Sequence, residues 1–495
     1  MVINQKFSTI FYLLGSLLIS LGIVLLLPII LVLLYQEGLL LYKSFLIPAL
    51  ISLAIGILLT WTAEQKQKLT LTTSMVVCGL GWILFSIIGS IPFQIGLGKS
   101  FIDAFFEAVS GFTTTGITVF QGLEQMPKSV IFWRSLIQWL GGLGILTFFL
   151  VITFRSEGGT WQLFTAESHK ISTSRPVPNV FRTVKILWGI YIGFTLLEII
   201  LLTIFQVSVY DALIHSLTTL STGGFSNYDS SIGHFQQVGH PFYKVIEYII
   251  IFFMLLGGMN FLVHFKVLTG NTKELVNNLE LRYFWGLILG VTLLIFIGIV
   301  VNNGSLDLAN LEADFRTILF QVVSIITTTG YGTKSIMASF FPAIAKQSFL
   351  VLMLIGGCVG STAGGIKVIR VAILNKLFNR EIKKIYLPKR AVLPVKLDKR
   401  IIEDEEVLKI AALFFGWLVL ILIGGMITAL FSDLSALQAF SGMFSAVGNI
   451  GPFYFSVEKM SSLSPVIKLT YIIGMLAGRL EILPVFILFT KQAWK

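Results

Sequence analysis

The fold class that this sequence predicts is an all-α polytopic membrane protein built from a repeated pore unit, and three observations predict it. Hydrophobic residues make up 55% of the 495-residue chain and charged residues 12%, about half the charged share of soluble chains. Ten segments are long enough to cross a membrane, and several exceed the roughly 18 uncharged apolar residues that mark a span. A unit of span, half-span, glycine turn and span recurs four times. There is too little polar material to clothe a water-facing surface, which excludes a soluble enzyme, a disordered chain and a secreted disulfide scaffold. The two cysteines, Cys78 and Cys358, lie within apolar stretches and read as small buried hydrophobes.

The spans run at 7–34, 45–63, 69–92, 130–154, 182–207, 242–266, 281–302, 346–376, 405–431 and 464–490. The first has a signal-like order, but its apolar run is about twice a signal-peptide core, so it reads as a retained span. Shorter apolar pieces near 101–112, 210–220, 312–326 and 435–446 reach only part of the way across and read as re-entrant helices. Each begins beside a capping residue: Ser100 and Asp103, Asp211, Asp314, or Asp433 and Ser435. Four of them in matched positions argue against isolated amphipathic surface pieces. Of the 36 Lys and Arg, 25 fall in the loops at 1–6, 63–68, 155–185, 264–282 and 366–409 and in the C-terminal tail, 10 fall in the opposite loops, and Arg479 falls inside a span. The richer side is expected to be cytoplasmic, which places both termini there. The net charge of +11 is thus topogenic and does not call for nucleic acid. The basic stretch Lys367 to Lys409 serves topology or docks a cytoplasmic partner.

The half-spans end in Thr113-Thr114-Thr115-Gly116, Ser221-Thr222-Gly223-Gly224, Thr327-Thr328-Thr329-Gly330 and Ser445-Ala446-Val447-Gly448-Asn449. Aligned on Gly116, Gly223, Gly330 and Gly448, the turns are 107, 107 and 118 residues apart. The spans that follow echo one another at Gly141-Gly142, Gly257-Gly258, Gly356-Gly357 and Gly478. The chain therefore divides into an N-terminal hairpin (1–68) and pore repeats at 69–155, 182–270, 281–380 and 405–495. Non-helical backbone at membrane depth is tolerated where it is buried or lines a water-filled path. Four such turns around one axis would bring together rings of carbonyls able to replace a cation's hydration shell. Glycine permits the required backbone angles, and the half-helices aim their partially negative C-terminal ends at the ion. This chemistry points to a cation pore. Its candidate ion-contacting residues are Thr114, Thr115 and Gly116; Ser221, Thr222 and Gly223; Thr328, Thr329 and Gly330; and Ala446, Val447 and Gly448.

The four glycine turns, the N-terminal hairpin and the run Gly356-Gly357-Cys358-Val359-Gly360-Ser361-Thr362-Ala363-Gly364-Gly365-Ile366-Lys367 resemble the TrkH/KtrB/HKT superfamily of potassium transporters. The hairpin brings the chain nearer the TrkH branch than the eight-span KtrB. The resemblance implies potassium as the transported substrate, with a glycine from each repeat in the filter, although the fourth turn departs from the Thr-Gly pattern. It implies a homodimer docked on a cytoplasmic ring of TrkA-like, RCK-type subunits that bind NAD or adenine nucleotides, this chain binding no nucleotide itself. It also implies a bacterial inner membrane location.

Gly356, Gly357, Gly360, Gly364 and Gly365, with Ser361 and Thr362 between them, would cost a continuous helix roughly 1 kcal/mol per glycine. A break at 356–366 is expected, with close helix packing through small residues as the alternative. In the resembling family this segment obstructs the pore, which makes it and Lys367 the candidate gate. The segment is not a phosphate loop, because no strand precedes it and no Gly-Lys-Ser/Thr follows. Arg479 within a span is costly unless it pairs or faces water; the resemblance implies an electrostatic barrier beside the gate, and a structural contact is the alternative. Glu198 is also mid-span and reads as a buried helix contact or a proton-coupling group. The five histidines form no metal-binding spacing, and no nucleophile elbow is present, so no enzymatic activity is expected. A secondary transporter coupled to protons or sodium is the alternative to channel-like permeation.

Overall fold

The computed structural model describes residues 5–63, 70–144, 180–304, 308–388, 393–397 and 400–494. It is almost entirely helical; the sole sheet among these residues is a two-stranded hairpin of Val395–Leu397 with Arg400–Ile402. Six described helices are long and apolar enough to cross a membrane, or seven if one sharply bent pair is taken as a span. The first crosses as Gln5–Val24 plus Leu27–Leu34 and packs along Leu39–Thr62. Gly15 and Gly56 set that approach: a Cβ on either would stand 2.8 Å from the other's carbonyl oxygen. Small residues allow such contact where apolar burial supplies no driving force between helices.

The repeats follow. Spans Leu71–Leu97, Val180–Ile204, Leu279–Asn303 and Asp404–Leu430 each precede a short helix: Phe101–Phe112, Val209–Leu220, Leu311–Ile326 and Ala436–Gly448. These pore helices have 12, 12, 16 and 13 residues, or about 18–24 Å at 1.5 Å per residue, short of the roughly 30 Å hydrocarbon core. Three begin at serine caps. Ser100 accepts from Asp103 N, Ser208 from Asp211 N, and Ser435 forms a reciprocal box with Gln438. Ser208 thus takes the capping role expected of Asp211, which sits in the first turn. The third helix starts after Asn310 without a side-chain cap, and Glu312 and Asp314 lie in its first turn.

The return spans differ most from the sequence's expectation. The first, expected over 130–154, is described as Lys128–Gly142, and its remainder lies outside the described residues. The second, expected as 242–266, breaks into Tyr243–Gly258 and Phe261–Leu268 at a 104° bend, with the Asn260 side chain capping Leu262 N. The third is Ala343–Leu354 and Val368–Ile385, with residues 355–367 non-helical between them, so the expected break is present. The fourth is Pro465–Arg479 rather than 464–490. Glu481 and Ile482 take positive φ angles of 55° and 70°, and the chain continues in short turns.

Two apolar cores result. One gathers the hairpin with repeats 1 and 4 and part of repeat 2, including Trp188, Tyr191 and Phe261; the other gathers the rest of repeat 2 with repeat 3 and with Ile450 and Tyr454 of repeat 4. A small third cluster joins Val359 in the glycine-rich segment to the strands through Ile369, Val395 and Ile402. The chain ends meet, Lys6 Nζ donating to Ala493 O at 2.8 Å and Phe7 stacking on Trp494.

Candidate ion pathway

Each pore helix runs into a turn whose backbone is the same in all four repeats. Thr114, Thr222, Thr328 and Asn449 take left-handed φ angles of 54°, 53°, 56° and 54°. Two residues later stand Gly116, Gly224, Gly330 and Gly451, at 80°, 69°, 83° and 109°. For the three threonines the left-handed region costs roughly 1–2 kcal/mol each; asparagine adopts it more readily. The same strained geometry recurring in all four repeats points to a functional constraint.

This register corrects two of the sequence-derived positions. The glycine equivalent to Gly116 and Gly330 is Gly224 in the second repeat and Gly451 in the fourth, where Gly223 and Gly448 had been expected. The four glycines Gly116, Gly224, Gly330 and Gly451 line one open cavity of about 560 Å³. Gly223 is clamped from behind by Gln138, whose Nε2 donates to Gly223 O at 2.6 Å and whose Oε1 accepts from Phe225 N at 3.0 Å. Ala446, Val447 and Gly448 are the last turn of the pore helix, and a Cβ on Gly448 would lie 2.4 Å from Met353 O.

The turns close on one another as a ring. A Cβ on Gly116 would stand 2.3 Å from Gly223 O, one on Gly224 1.9 Å from Thr329 O, one on Gly330 1.9 Å from Ile450 O, and one on Gly451 3.1 Å from Thr115 O. Each glycine therefore lies against the carbonyl just before the next repeat's glycine, in the order 1-2-3-4-1. A side chain here would collide with the neighbouring repeat, and the fourth junction is the loosest. The return spans pass close under the helix ends through their own glycines: Cβ atoms at Gly141 and Gly478 would lie 1.9 Å from Phe112 O and 2.1 Å from Val447 O.

On the other side of the ring from the cavity lies the glycine-rich segment, hydrogen-bonded to two of the four turns and packed against a third. Gly364 N donates to Thr328 Oγ1 at 2.8 Å, Thr222 Oγ1 lies 3.3 Å from Thr362 Oγ1, and a Cβ on Gly364 would meet Asn449 at 2.7 Å. Its two ends pair as a parallel bridge between Ile355 and Ile366, Gly356 N donating to Ile366 O. Gly360 and Gly365 take φ angles of 75° and 70°, and Gly356 and Gly357 leave no room for a Cβ beside Gly364 O and Gly258 O. The break in the second return span supplies the carbonyls this segment uses: Thr362 N donates to Gly257 O and Cys358 N to Gly258 O, while Gly360 O accepts from Phe261 N. Lys367 Nζ turns back to Ala363 O and Gly364 O, and Ser361 Oγ donates to Cys358 O.

Arg479 sits at the junction of ring and segment. It donates to Gly141 O at 2.5 Å, Gly142 O at 2.6 Å, Thr362 O at 2.7 Å and Thr114 Oγ1 at 3.1 Å, so its charge is solvated by the carbonyls of two repeats. Glu481 is turned away to Arg370 at 2.6 Å. Glu198 is fully buried, and neither carboxylate oxygen has a hydrogen-bond partner among the described residues.

Sequence reasoning missed several of these residues. Asn449 donates to Thr115 Oγ1 at 2.8 Å and Met475 O at 2.9 Å; an Asn just past a helix end is a signal for the left-handed cap. Glu280 accepts from Val359 N at 2.7 Å and Ile369 N at 3.3 Å, stapling both limbs of the segment. Gln138 carries no sequence signal.

The sequence model of TrkH, described as a cation transport protein, matches residues 42–494. This chain belongs to the TrkH family. It is 33% identical to the Trk system potassium uptake protein TrkH of Salmonella typhimurium, over 99% of this chain and 100% of that one. An uncharacterized cation transporter of Methanocaldococcus jannaschii is also 33% identical, over 99% and 97%. The crystal structure of the potassium transporter TrkH from Vibrio parahaemolyticus superposes with a TM-score of 0.86 at 29% identity, covering 99% of this chain and 100% of that one. The TrkH family assignment thus spans both the hairpin and all four repeats, and the protein is a multi-pass membrane transport protein rather than an enzyme.

Proposed function

We propose that this chain is the potassium-conducting subunit of a bacterial Trk-type uptake system. Potassium passes through the ring of Thr114–Gly116, Thr222–Gly224, Thr328–Gly330 and Asn449–Gly451, and residues 355–367 gate it. The observation that carries this reading is the closed contact of each ring glycine with the carbonyl of the next repeat. Such a ring holds carbonyl oxygens at a defined spacing, so they can replace water around a cation. The four pore-helix C-termini add their partial negative charge. The membrane potential supplies about 2.3 kcal/mol per charge per 100 mV, enough to drive inward permeation without a coupling ion.

In this reading the bonds to Thr222 and Thr328 hold the gate segment against the ring, and the Arg479 charge beside it repels cations. Opening requires the segment to leave both. The helix Val368–Ile385 continues directly from the gate and ends with Lys383 and Lys384, which offers a cytoplasmic partner a lever. The names of the Trk-system relatives support such a partner, taken here as a nucleotide-binding TrkA-like ring beneath a homodimer. The meeting of the chain ends agrees with both termini on the cytoplasmic face of the inner membrane. Proton- or sodium-coupled transport is the second reading, motivated by the fully buried carboxyl of Glu198.

The test is potassium and rubidium flux into proteoliposomes under an imposed voltage with no proton gradient, and with sodium as competitor. Voltage-driven flux that sodium barely inhibits is expected. Flux that appears only with a proton or sodium gradient would replace this reading with the coupled one.

A further inference from the structure

Seven residues before each left-handed turn residue, the pore helices carry Glu107, His215, Gln321 and Gly442 at equivalent positions. The first three side chains are at most 1% exposed. In two repeats they cross to the residue two places beyond the ring glycine. Glu107 accepts from Thr118 Oγ1 at 2.8 Å and from Val119 N at 3.1 Å, and is itself anchored by Arg134 at 2.7 Å. His215 Nδ1 lies 2.9 Å from Asp211 O and so carries the proton, leaving Nε2 to accept from Ser226 Oγ at 3.3 Å. In the third repeat the facing residue is Gly332, and neither Gln321 Oε1 nor Nε2 has a partner among the described residues. In the fourth, a Cβ on Gly442 would lie 1.9 Å from the Tyr471 hydroxyl, and the neighbouring Ser441 Oγ accepts instead from Tyr454 N at 2.9 Å.

We infer that these cross-links are struts that resist contraction of the ring, and that Glu107, Thr118, His215 and Ser226 are positioning residues for discrimination between potassium and the smaller sodium. A carbonyl ring that shrinks freely will also solvate sodium. A hydrogen bond between the pore helix and the segment leaving the ring ties that segment to a rigid element and opposes the shrinkage. The third repeat lacks only the cross-link from Gln321: Ser324 Oγ of the pore helix donates to Tyr331 O at 2.6 Å, and Gly332 is tied sideways, its N donating to Ser231 Oγ at 3.3 Å and its O accepting from Gly233 N at 3.1 Å. The missing strut can be built. Gly332 is not among the positive-φ residues, and a Cβ there would have 3.3 Å to Lys334 O and 3.7 Å to Gln321 Oε1, within reach of a serine hydroxyl.

This inference rests on the potassium-conducting reading above. The experiment measures the potassium-to-sodium flux ratio in proteoliposomes at equal incorporated protein. Gly332→Ser is expected to raise the ratio about threefold, the scale of one net hydrogen bond, and adding Gln321→Leu to Gly332→Ser is expected to remove the gain. Thr118→Val is expected to lower the ratio by about the same factor, and Thr118→Ser to restore it. If Gly332→Ser and Thr118→Val both conduct with the parent ratio, the struts do not set selectivity and the inference is overturned. Should Thr118→Val fail to fold, the Gly332→Ser pair decides alone. A parent protein that passes no potassium refutes the conducting reading itself, a result distinguishable from unchanged ratios.

Discussion

Replacing the ring glycines one at a time with alanine should produce a graded loss that follows the junction distances. At Gly330 the new Cβ would stand 1.9 Å from Ile450 O, so the fourth turn must retreat by about 1.5 Å to reach the 3.4 Å of ordinary contact; such overpacking costs about 1–3 kcal/mol. The positive φ of 83° adds about 1–2 kcal/mol for any residue with a Cβ. Gly224→Ala is equivalent, with 1.9 Å to Thr329 O, and Gly116→Ala follows at 2.3 Å. At Gly451 the distance is 3.1 Å, so the backbone strain remains and most of the collision does not. Gly451→Ala should therefore be milder than Gly330→Ala by about 1–3 kcal/mol. Thermal unfolding in detergent should give the order of midpoints 451 above 116 above 224 and 330, and voltage-driven potassium flux should fall in the same order. Equal damage at all four positions, or Gly451→Ala the worst, would refute the ring geometry and the register assigned to the fourth repeat.

Gly116→Ser should admit more sodium, read as a lower potassium-to-sodium flux ratio; an unchanged ratio would remove Gly116 from the filter. Arg479→Ala removes four hydrogen bonds that join ring and gate together with the local positive charge, and basal potassium flux without any partner should rise several-fold; flux at or below the parent value at equal protein would count against a latch. Glu280→Ala should raise basal flux while leaving the ion ratio intact, because Glu280 touches the gate limbs and not the ring; a changed ratio would place it elsewhere in the pathway. Arg316→Ala should destabilise by about 3–5 kcal/mol, since Arg316 bonds Glu247 at 2.6 Å with both side chains 2% exposed; Arg316→Ala with Glu247→Leu should recover part of it in the same unfolding assay, and no recovery would show that the buried carboxylate was not the source.

Much of the architecture was legible because bilayer physics writes it locally. An apolar run of fixed minimum length marks a span wherever it sits, and a half-length run ending in Gly and Thr marks a re-entrant helix. The five glycines between 356 and 365 announced their break in the same way. The second return span hid its 104° bend because 249–263 is apolar but for Asn260. Its break at Gly258 is stabilised by Cys358 and Thr362 of another repeat, which take the freed carbonyls. The fourth return span likewise seemed to continue to 490, since Leu, Ile and Phe beyond Arg479 are as apolar as those before it.

What this sequence determined by itself is the membrane class, the fourfold unit and the glycine-rich interruption, each written in composition or in spacing along the chain, and, through the motif Gly356 to Lys367 and the glycine turns, the resemblance to a potassium transporter superfamily. The tertiary structure alone decided which glycines face the ring. Gly223 and Gly224 are adjacent and chemically identical, and Gly448 and Gly451 lie within one turn. They are told apart by backbone angle and by the carbonyl of a neighbouring repeat more than a hundred residues away, a contact that exists only once the four turns have closed.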